Sequence, residues 1–223
     1  GDGKLSATAA DTGQPPQDAQ PDLANLIVAR LAKGDIAAQV QAAGVVVRFP
    51  FLAPQFDPEA VLLSARKQSV PQTDLFLGEL YMYGQRAARD PRKSLRFLQQ
   101  AARDPATTIA ADYELGRLYQ FGYLDEVDPQ RARDYLLYAA RHGYAAADNA
   151  LARLYASGKG ICPDHVYAYV FAKLGARSGA PAISALRDQV YAALDARDRA
   201  QAQQLWKQES ALQQQTSPVE LEQ

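Results

Sequence analysis

Apolar positions along this chain fall mostly at helical spacing, and in the middle of the chain the pattern repeats. Leu77-Gly78-Glu79-Leu80-Tyr81 returns as Leu115-Gly116-Arg117-Leu118-Tyr119 and again as Leu151-Ala152-Arg153-Leu154-Tyr155, at spacings of 38 and 36 residues. A glycine follows each tyrosine by three residues (Gly84, Gly122, Gly158), and an aspartate recurs in register (Asp90, Asp128, Asp164). A small pair closes each unit: Ala101-Ala102, Ala139-Ala140 and Gly175-Ala176. Self-similarity at this period marks a solenoid of helix pairs, in which each unit buries its apolar face only by stacking on a neighbour. The expected fold class is an all-α solenoid.

Within the repeat, residues 73–83, 107–121 and 145–157 are predicted as first helices, and 91–103, 129–142 and 164–178 as second helices. In the middle unit Ala111, Leu115, Leu118 and Tyr119 fall at i, i+4, i+7 and i+8, one buried stripe. Gly78, Gly116 and Ala152 sit where two helices must come close, since a glycine inside a helix otherwise costs about 1 kcal/mol against alanine. Gly84, Gly122 and Gly158 suit the left-handed position that stops a helix. Asp90-Pro91, Asp128-Pro129 and Asp164 after Pro163 read as helix starts, the aspartate capping and the proline filling the first turn.

The flanks carry weaker patterns. Residues 1–21, rich in glycine, proline and small polar residues, are expected to be a flexible N-terminal segment. Asp22 stands where an N-cap would, before Leu23, Leu26, Ile27 and Leu31 on one helical face; Gly34 then ends that helix and Asp35 starts another toward Ala43. Residues 45–52 favour a strand locally, but with no second strand-like run to pair with, the expectation is irregular structure packing Phe49 and Phe51 on neighbouring helices. Asp57-Pro58 opens a helix through Lys67. Residues 22–72 are thus expected to form degenerate helical repeats, 73–179 three clear repeats, and 180–214 a pair of capping helices broken near Asp195. The glutamine-rich stretch from Gln213, and residues 215–223 with it, is expected to be a disordered tail.

Composition narrows the function. Of 223 residues 48% are apolar, enough for a substantial core, and the formal net charge is −1. Arginines are scattered along helix faces with no basic stripe, which argues against nucleic acid. Cys162 is the only cysteine, so no intrachain disulfide can form. No run of about 18 apolar residues could span a bilayer, and no secretory signal stands at the start. The chain opens on glycine, the pattern expected of a fragment or processed form whose export signal or lipid-bearing cysteine would lie upstream.

Candidate chemistry is sparse. His142 and His165 are the only histidines; both fall at helix ends, and a metal site would need carboxylates or Cys162 to converge on them. Nothing near Cys162 suggests a paired nucleophile with an oxyanion hole. Asp125-Glu126 lies in an inter-helix loop rather than across a cleft as a glycosidase pair would. Gly158-Lys159-Gly160 lacks the strand and the remaining motif of a phosphate loop. Tyr81, Tyr119 and Tyr155 are repeat-defining core positions. No catalytic residue, cofactor site or metal site is expected.

The recurring pattern resembles the Sel1-like repeat, a relative of the tetratricopeptide repeat. Leu151 to Tyr155, Gly158-Lys159-Gly160-Ile161, Asp164, Tyr167-Ala168 and Gly175-Ala176 follow it most closely. The likeness covers 73–179 well and the flanks weakly. The turns after Tyr81 and Tyr119 lack the second glycine, and Ala152 replaces the family's glycine. The resemblance implies a right-handed superhelix of stacked helix pairs, a non-enzymatic protein-binding scaffold. Residues 119–129 and 160–169 are further similar to the closing repeats of outer-membrane-anchored lipoproteins of alginate export. That likeness implies a periplasmic setting in which the chain links a polymer-modifying enzyme to the outer-membrane porin, with membrane contact only through a lipid anchor that this chain does not carry. The alternatives are a Sel1-like adaptor of an unrelated signalling or envelope complex, an enzyme using a groove site, and direct, weak polysaccharide contact. In tetratricopeptide-like stacks the first helices line a concave groove. Outward positions flank the repeated leucine, which selects Leu75, Glu79 and Met82, then Tyr113, Arg117 and Gln120, then Asn149, Arg153 and Ala156. Of these, Glu79, Met82, Tyr113, Arg117, Gln120, Asn149 and Arg153 are the partner-binding candidates, with arginine and tyrosine the residue types that anchor interfaces.

Overall fold

The computed structural model describes residues 21–121, 124 and 127–216. Among them are eleven α-helices and no strand: α1 (Pro21–Ala32), α2 (Ile36–Arg48), α3 (Pro58–Arg66), α4 (Thr73–Tyr83), α5 (Pro91–Ala101), α6 (Thr108–Gln120), α7 (Pro129–Arg141), α8 (Ala145–Ser157), α9 (His165–Gly175), α10 (Pro181–Ala193) and α11 (Ala196–Thr216). The chain divides into two compact units, residues 1–126 and 127–223, so α1–α6 belong to an N-terminal unit and α7–α11 to a C-terminal one. The expected segment at 1–21 falls almost wholly outside the described residues, as do Gly122, Asp125-Glu126 and the last seven residues.

Local sequence signals place the helices. The side chains of Asp90, Asp128 and Asp164 accept hydrogen bonds from the N–H of Lys93, Arg131 and Tyr167, each at 3.0 Å. Asp35 and Asp57 do the same for Ala38 and Ala60, each cap worth about 1 kcal/mol. In two repeats the aspartate also closes the turn through its backbone: the N–H of Asp90 donates to the Tyr81 carbonyl and that of Asp164 to the Tyr155 carbonyl, both at 3.0 Å. Gly84 and Gly158 end α4 and α8 at φ +67° and +61°. A Cβ at Gly158 would stand 2.4 Å from Pro163 Cγ, so both backbone and space require glycine there.

Three expectations about the flanks are corrected. The residues at 45–48 are helical: α2 runs through Arg48, burying Val46 and Val47, and only residues 49–56 are irregular. Without a partner strand the β preference of three valines yields to burial. Phe49 and Phe51 do meet, edge to face at 6.3 Å. Helix α1 begins at Pro21, so Asp22 lies in its first turn rather than at its cap. That helix turns Val28 inward against Ala42, Val46 and Leu52 and leaves Leu23, Leu26 and Ile27 exposed. At the other end α11 continues to Thr216, and Gln213 is buried rather than part of a loose tail; its carboxamide donates to Asp148.

Helix packing explains the small residues. Helix α4 is buried on nearly every side, packed by α2, α3, α5 and α6. A Cβ at Gly78 would come within 2.5 Å of Leu98 on α5. The same approach lets the Ser94 hydroxyl donate to the Gly78 carbonyl at 2.7 Å. In the C-terminal unit the equivalent pair is α8 and α9, where Tyr155 stacks on Tyr167 and Phe171.

Candidate functional site

The groove-side expectation is tested first by exposure. Leu75, Glu79 and Met82 on α4 are buried, and so are Tyr113 and Arg117 on α6. The outward orientation assigned to these five does not hold, because α4 is enclosed by four helices and α6 packs against it. Gln120, Asn149, Arg153 and Ala156 remain part-exposed.

The buried members form a polar cluster that ties α2, α4 and α6 together. Arg48 at the end of α2 grips Glu79 with both ends of its guanidinium, Nε to Oε2 at 3.0 Å and an Nη to Oε1 at 2.8 Å. The same guanidinium lies 5.5 Å over the Phe76 ring, and Phe76 in turn sits against Gly44, where a Cβ would stand 2.5 Å from it. Glu79 thereby holds the Arg48 guanidinium firmly protonated. One turn on, the Tyr83 hydroxyl donates to Glu114 Oε1 at 3.2 Å. Glu114 Oε2 is shielded from solvent and has no partner. Burial, reinforced by the neighbouring Glu79 charge, pushes the Glu114 carboxyl up to about 7, with Arg117 and Arg48 opposing. Arg117 sits between the rings of Tyr113 and Phe121, at 5.6 and 5.5 Å. These residues bind helices to one another, and a buried charge of this kind needs its partner in place.

In the C-terminal unit the predicted residues sit beside a second polar set. Gln213 Nε2 donates to Asp148 Oδ1 at 2.9 Å, and an Arg177 Nη donates to Gln213 Oε1 at 2.7 Å. Arg141 grips Glu209 at 2.8 and 3.2 Å. Burial raises the Asp148 carboxyl to about 7, against the pull of Gln213 and Arg177. Asn149 presses its side chain onto Gly175, where a Cβ would stand 2.0 Å from Oδ1.

Two of the part-exposed candidates share one property. The carboxamide oxygens of Gln120 and Asn149 are both shielded and without a hydrogen-bond partner. Shielded polar atoms are satisfied in the great majority of cases, so these two acceptors stand out as unsatisfied groups within the protein. The cysteine and histidines bring no chemistry together: Cys162 is exposed, His142 caps α7 and stacks on Tyr138 at 4.0 Å, and His165 begins α9. Among the described residues no group of three or more metal-ligating side chains exists, and no helix is long and apolar enough to cross a membrane.

Residues 74–104, 109–144 and 145–179 match the Sel1 repeat. The chain carries three Sel1 repeats. Its three repeats begin within a residue or two of α4, α6 and α8, and the leucine-glycine position of the first is the α4–α5 contact at Gly78. The chain is 43% identical over 221 residues to the alginate biosynthesis protein AlgK of Pseudomonas aeruginosa, covering 94% of this chain and 45% of that protein. It is 42% identical over 135 residues to the AlgK of Azotobacter vinelandii, covering 60% of this chain and 29% of that one. To the AlgK of Pseudomonas syringae pv. tomato it is 36% identical over 158 residues, 71% of this chain and 33% of the relative. The chain thus spans less than half the length of these curated relatives. A solved structure of a protective antigen present in uropathogenic Escherichia coli strains, described as displaying an SLR fold, matches 89% of this chain and 52% of its own at 18% identity and a TM-score of 0.46.

Within the Sel1 repeats, the position two residues after the leucine takes three forms. Glu79 is ion-paired inside the unit, Arg117 is buried between two aromatic rings, and Arg153 is part-exposed. Sequence reasoning missed Arg86. Its guanidinium donates to the carbonyls of Leu52 at 2.9 Å, of Pro50 and Ala53 at 3.3 Å, and of Phe56, fastening the irregular 49–56 segment to the first repeat. No local pattern announces it, since all four acceptors lie at least 30 residues upstream.

Proposed function

We propose that this chain is a non-catalytic protein–protein interaction scaffold of the alginate modification and export machinery, working in the periplasm at the outer membrane. The likeness to AlgK, 43% identical across 94% of this chain, carries the reading, and the three Sel1 repeats supply surfaces of the kind solenoids use to hold partners. On this reading the chain links a polymer-modifying enzyme to the outer-membrane secretion pore. Partner contact falls on the part-exposed residues of the first helices: Gln120 in the N-terminal unit, and Asn149 and Arg153 in the C-terminal one. Tyr113 and Arg117 lie buried on the helix that presents Gln120, and Glu79 and Met82 on the buried helix packed against it. The experiment is capture from an envelope extract of an alginate-producing pseudomonad, with wild type beside Gln120→Ala and an Asn149→Ala/Arg153→Ala variant. Recovery of an alginate-modifying enzyme or an outer-membrane pore by wild type, reduced in either variant, is the expected result. Capture of no alginate-machinery protein by wild type contradicts the scaffold reading; equal capture by all three contradicts the contact residues.

A further inference from the structure

A cleft of about 280 Å³ is lined by Arg66, Arg96, Phe97, Gln99, Gln100 and Arg103, on α3, α5 and the turn that follows α5. Three of these side chains are guanidiniums and none is a carboxylate. Arg66 is held in place: its Nε donates to Asp74 Oδ1 at 2.9 Å, and its guanidinium lies 5.3 Å over the Phe97 ring. Half of the Arg66 side chain remains exposed. Arg96 and Arg103 are exposed, and neither guanidinium makes an ion pair or hydrogen bond among the described residues. Arg96, Gln99 and Gln100 stand at i, i+3 and i+4 on one side of α5, and Arg103 follows in the turn after it, so that two unpaired guanidiniums line the same cleft. Like charges gathered this way repel, and only an anion relieves them all at once.

We propose that this cleft docks an acidic segment of a partner protein, a short stretch carrying two or more aspartates or glutamates. The proposal rests on the scaffold reading and gives one of its contacts a chemistry. Carboxylates on flexible stems can meet each guanidinium in a bidentate fork, and arginine clusters are a recurring means of reading acidic motifs. A saccharide would instead want a free aromatic face. The ring of Phe97 is already engaged by Tyr81, stacked at 5.8 Å, and by Arg66. The cleft also has room for a few side chains rather than for a length of polymer.

The test uses the full chain and a fluorescein-labelled hexaglutamate peptide, read by fluorescence anisotropy. Beside it run the same peptide with glutamine throughout and an oligouronate of equal carboxylate count. Wild type should bind the glutamate peptide, lose it as salt rises, and ignore the glutamine peptide. Arg96→Ala and Arg103→Ala should each weaken binding about tenfold, while Arg30→Ala on α1 leaves it unchanged. Both cleft arginines are exposed and unpaired, so these variants keep their helical circular dichroism. No binding by wild type, equal binding by the Arg96→Ala/Arg103→Ala double variant, or tighter binding of the oligouronate than of the peptide overturns the proposal. Undiminished capture of alginate-machinery proteins by the double variant removes the cleft and leaves the scaffold standing; loss of capture by wild type removes the scaffold itself.

Discussion

In the N-terminal unit Arg48 reaches from α2 to Glu79 on α4, and in the C-terminal unit Arg141 reaches from α7 to Glu209 on α11. The pairs match closely. Each arginine side chain is about two-fifths exposed, at 40% and 41%, and each carboxylate is nearly sealed, at 1% and 6%. The second acid of each unit differs. Glu114 has a tyrosine hydroxyl on one oxygen, nothing on the other, and Glu79 as a like-charged neighbour. Asp148 also has a like-charged neighbour in Glu209, but receives a carboxamide that Arg177 itself orients. A buried carboxylate is tolerated in proportion to the donors aimed at it, so the charged form of Asp148 has the better-directed support, although burial still raises both carboxyls to about 7.

The most severe way to break this comparison is to remove the arginines. Arg48→Ala leaves Glu79 buried beside Glu114 and should cost about 3 kcal/mol, read by urea denaturation. Arg141→Ala should cost less, about 2 kcal/mol, because the Glu209 side chain has more access to water than that of Glu79. Comparable losses from the two variants would erase the distinction between the units.

Proton linkage sharpens it next. Both buried acids have folded-state values raised to about 7, so the native state holds more protons than the unfolded chain between roughly pH 4.5 and 7. Their contribution is present in full below that window and is lost as pH rises through it. Glu114→Gln, which copies the protonated acid, should flatten this slope and raise stability at pH 8 by about 2 kcal/mol. Asp148→Asn should act in the same direction and by at least as much, since its carboxyl is raised to about 7 from a lower unperturbed value even with Gln213 and Arg177 favouring its charged form. Denaturation midpoints from pH 5 to pH 8 check both.

Smaller effects test the packing. Gly78→Ala forces a methyl against fully buried Leu98 and should destabilise by about 1–2 kcal/mol despite the better helix propensity of alanine. Asp164→Ala should cost about 1 kcal/mol through the lost α9 cap, with the thermal midpoint as readout.

The helices of the repeat were legible because their signals are local. Asp-Pro starts, the left-handed glycines at Gly84 and Gly158, and the leucine-tyrosine spacing each act within a few residues. The candidate site was less legible because its exposure is set from afar. Glu79 is sealed by Arg48, 31 residues back, and Gln213 is drawn into the core by Asp148, 65 residues away. Periodicity told which residues share a face of α4, but not that a helix from the degenerate flank covers that face. Val45 to Arg48 show the converse, where a local β preference gave way to helix packing that no neighbouring residue encodes.

The scaffold account meets its most direct test in living cells. A photo-crosslinking amino acid is placed at position 153, part-exposed on the last clear repeat, and at exposed position 207 on α11 as a control. Both variants are expressed in the periplasm of an alginate-producing pseudomonad and illuminated. The account predicts an adduct at 153 with a protein of the alginate machinery and none at 207. No adduct at 153, or the same adduct at both positions, would contradict it.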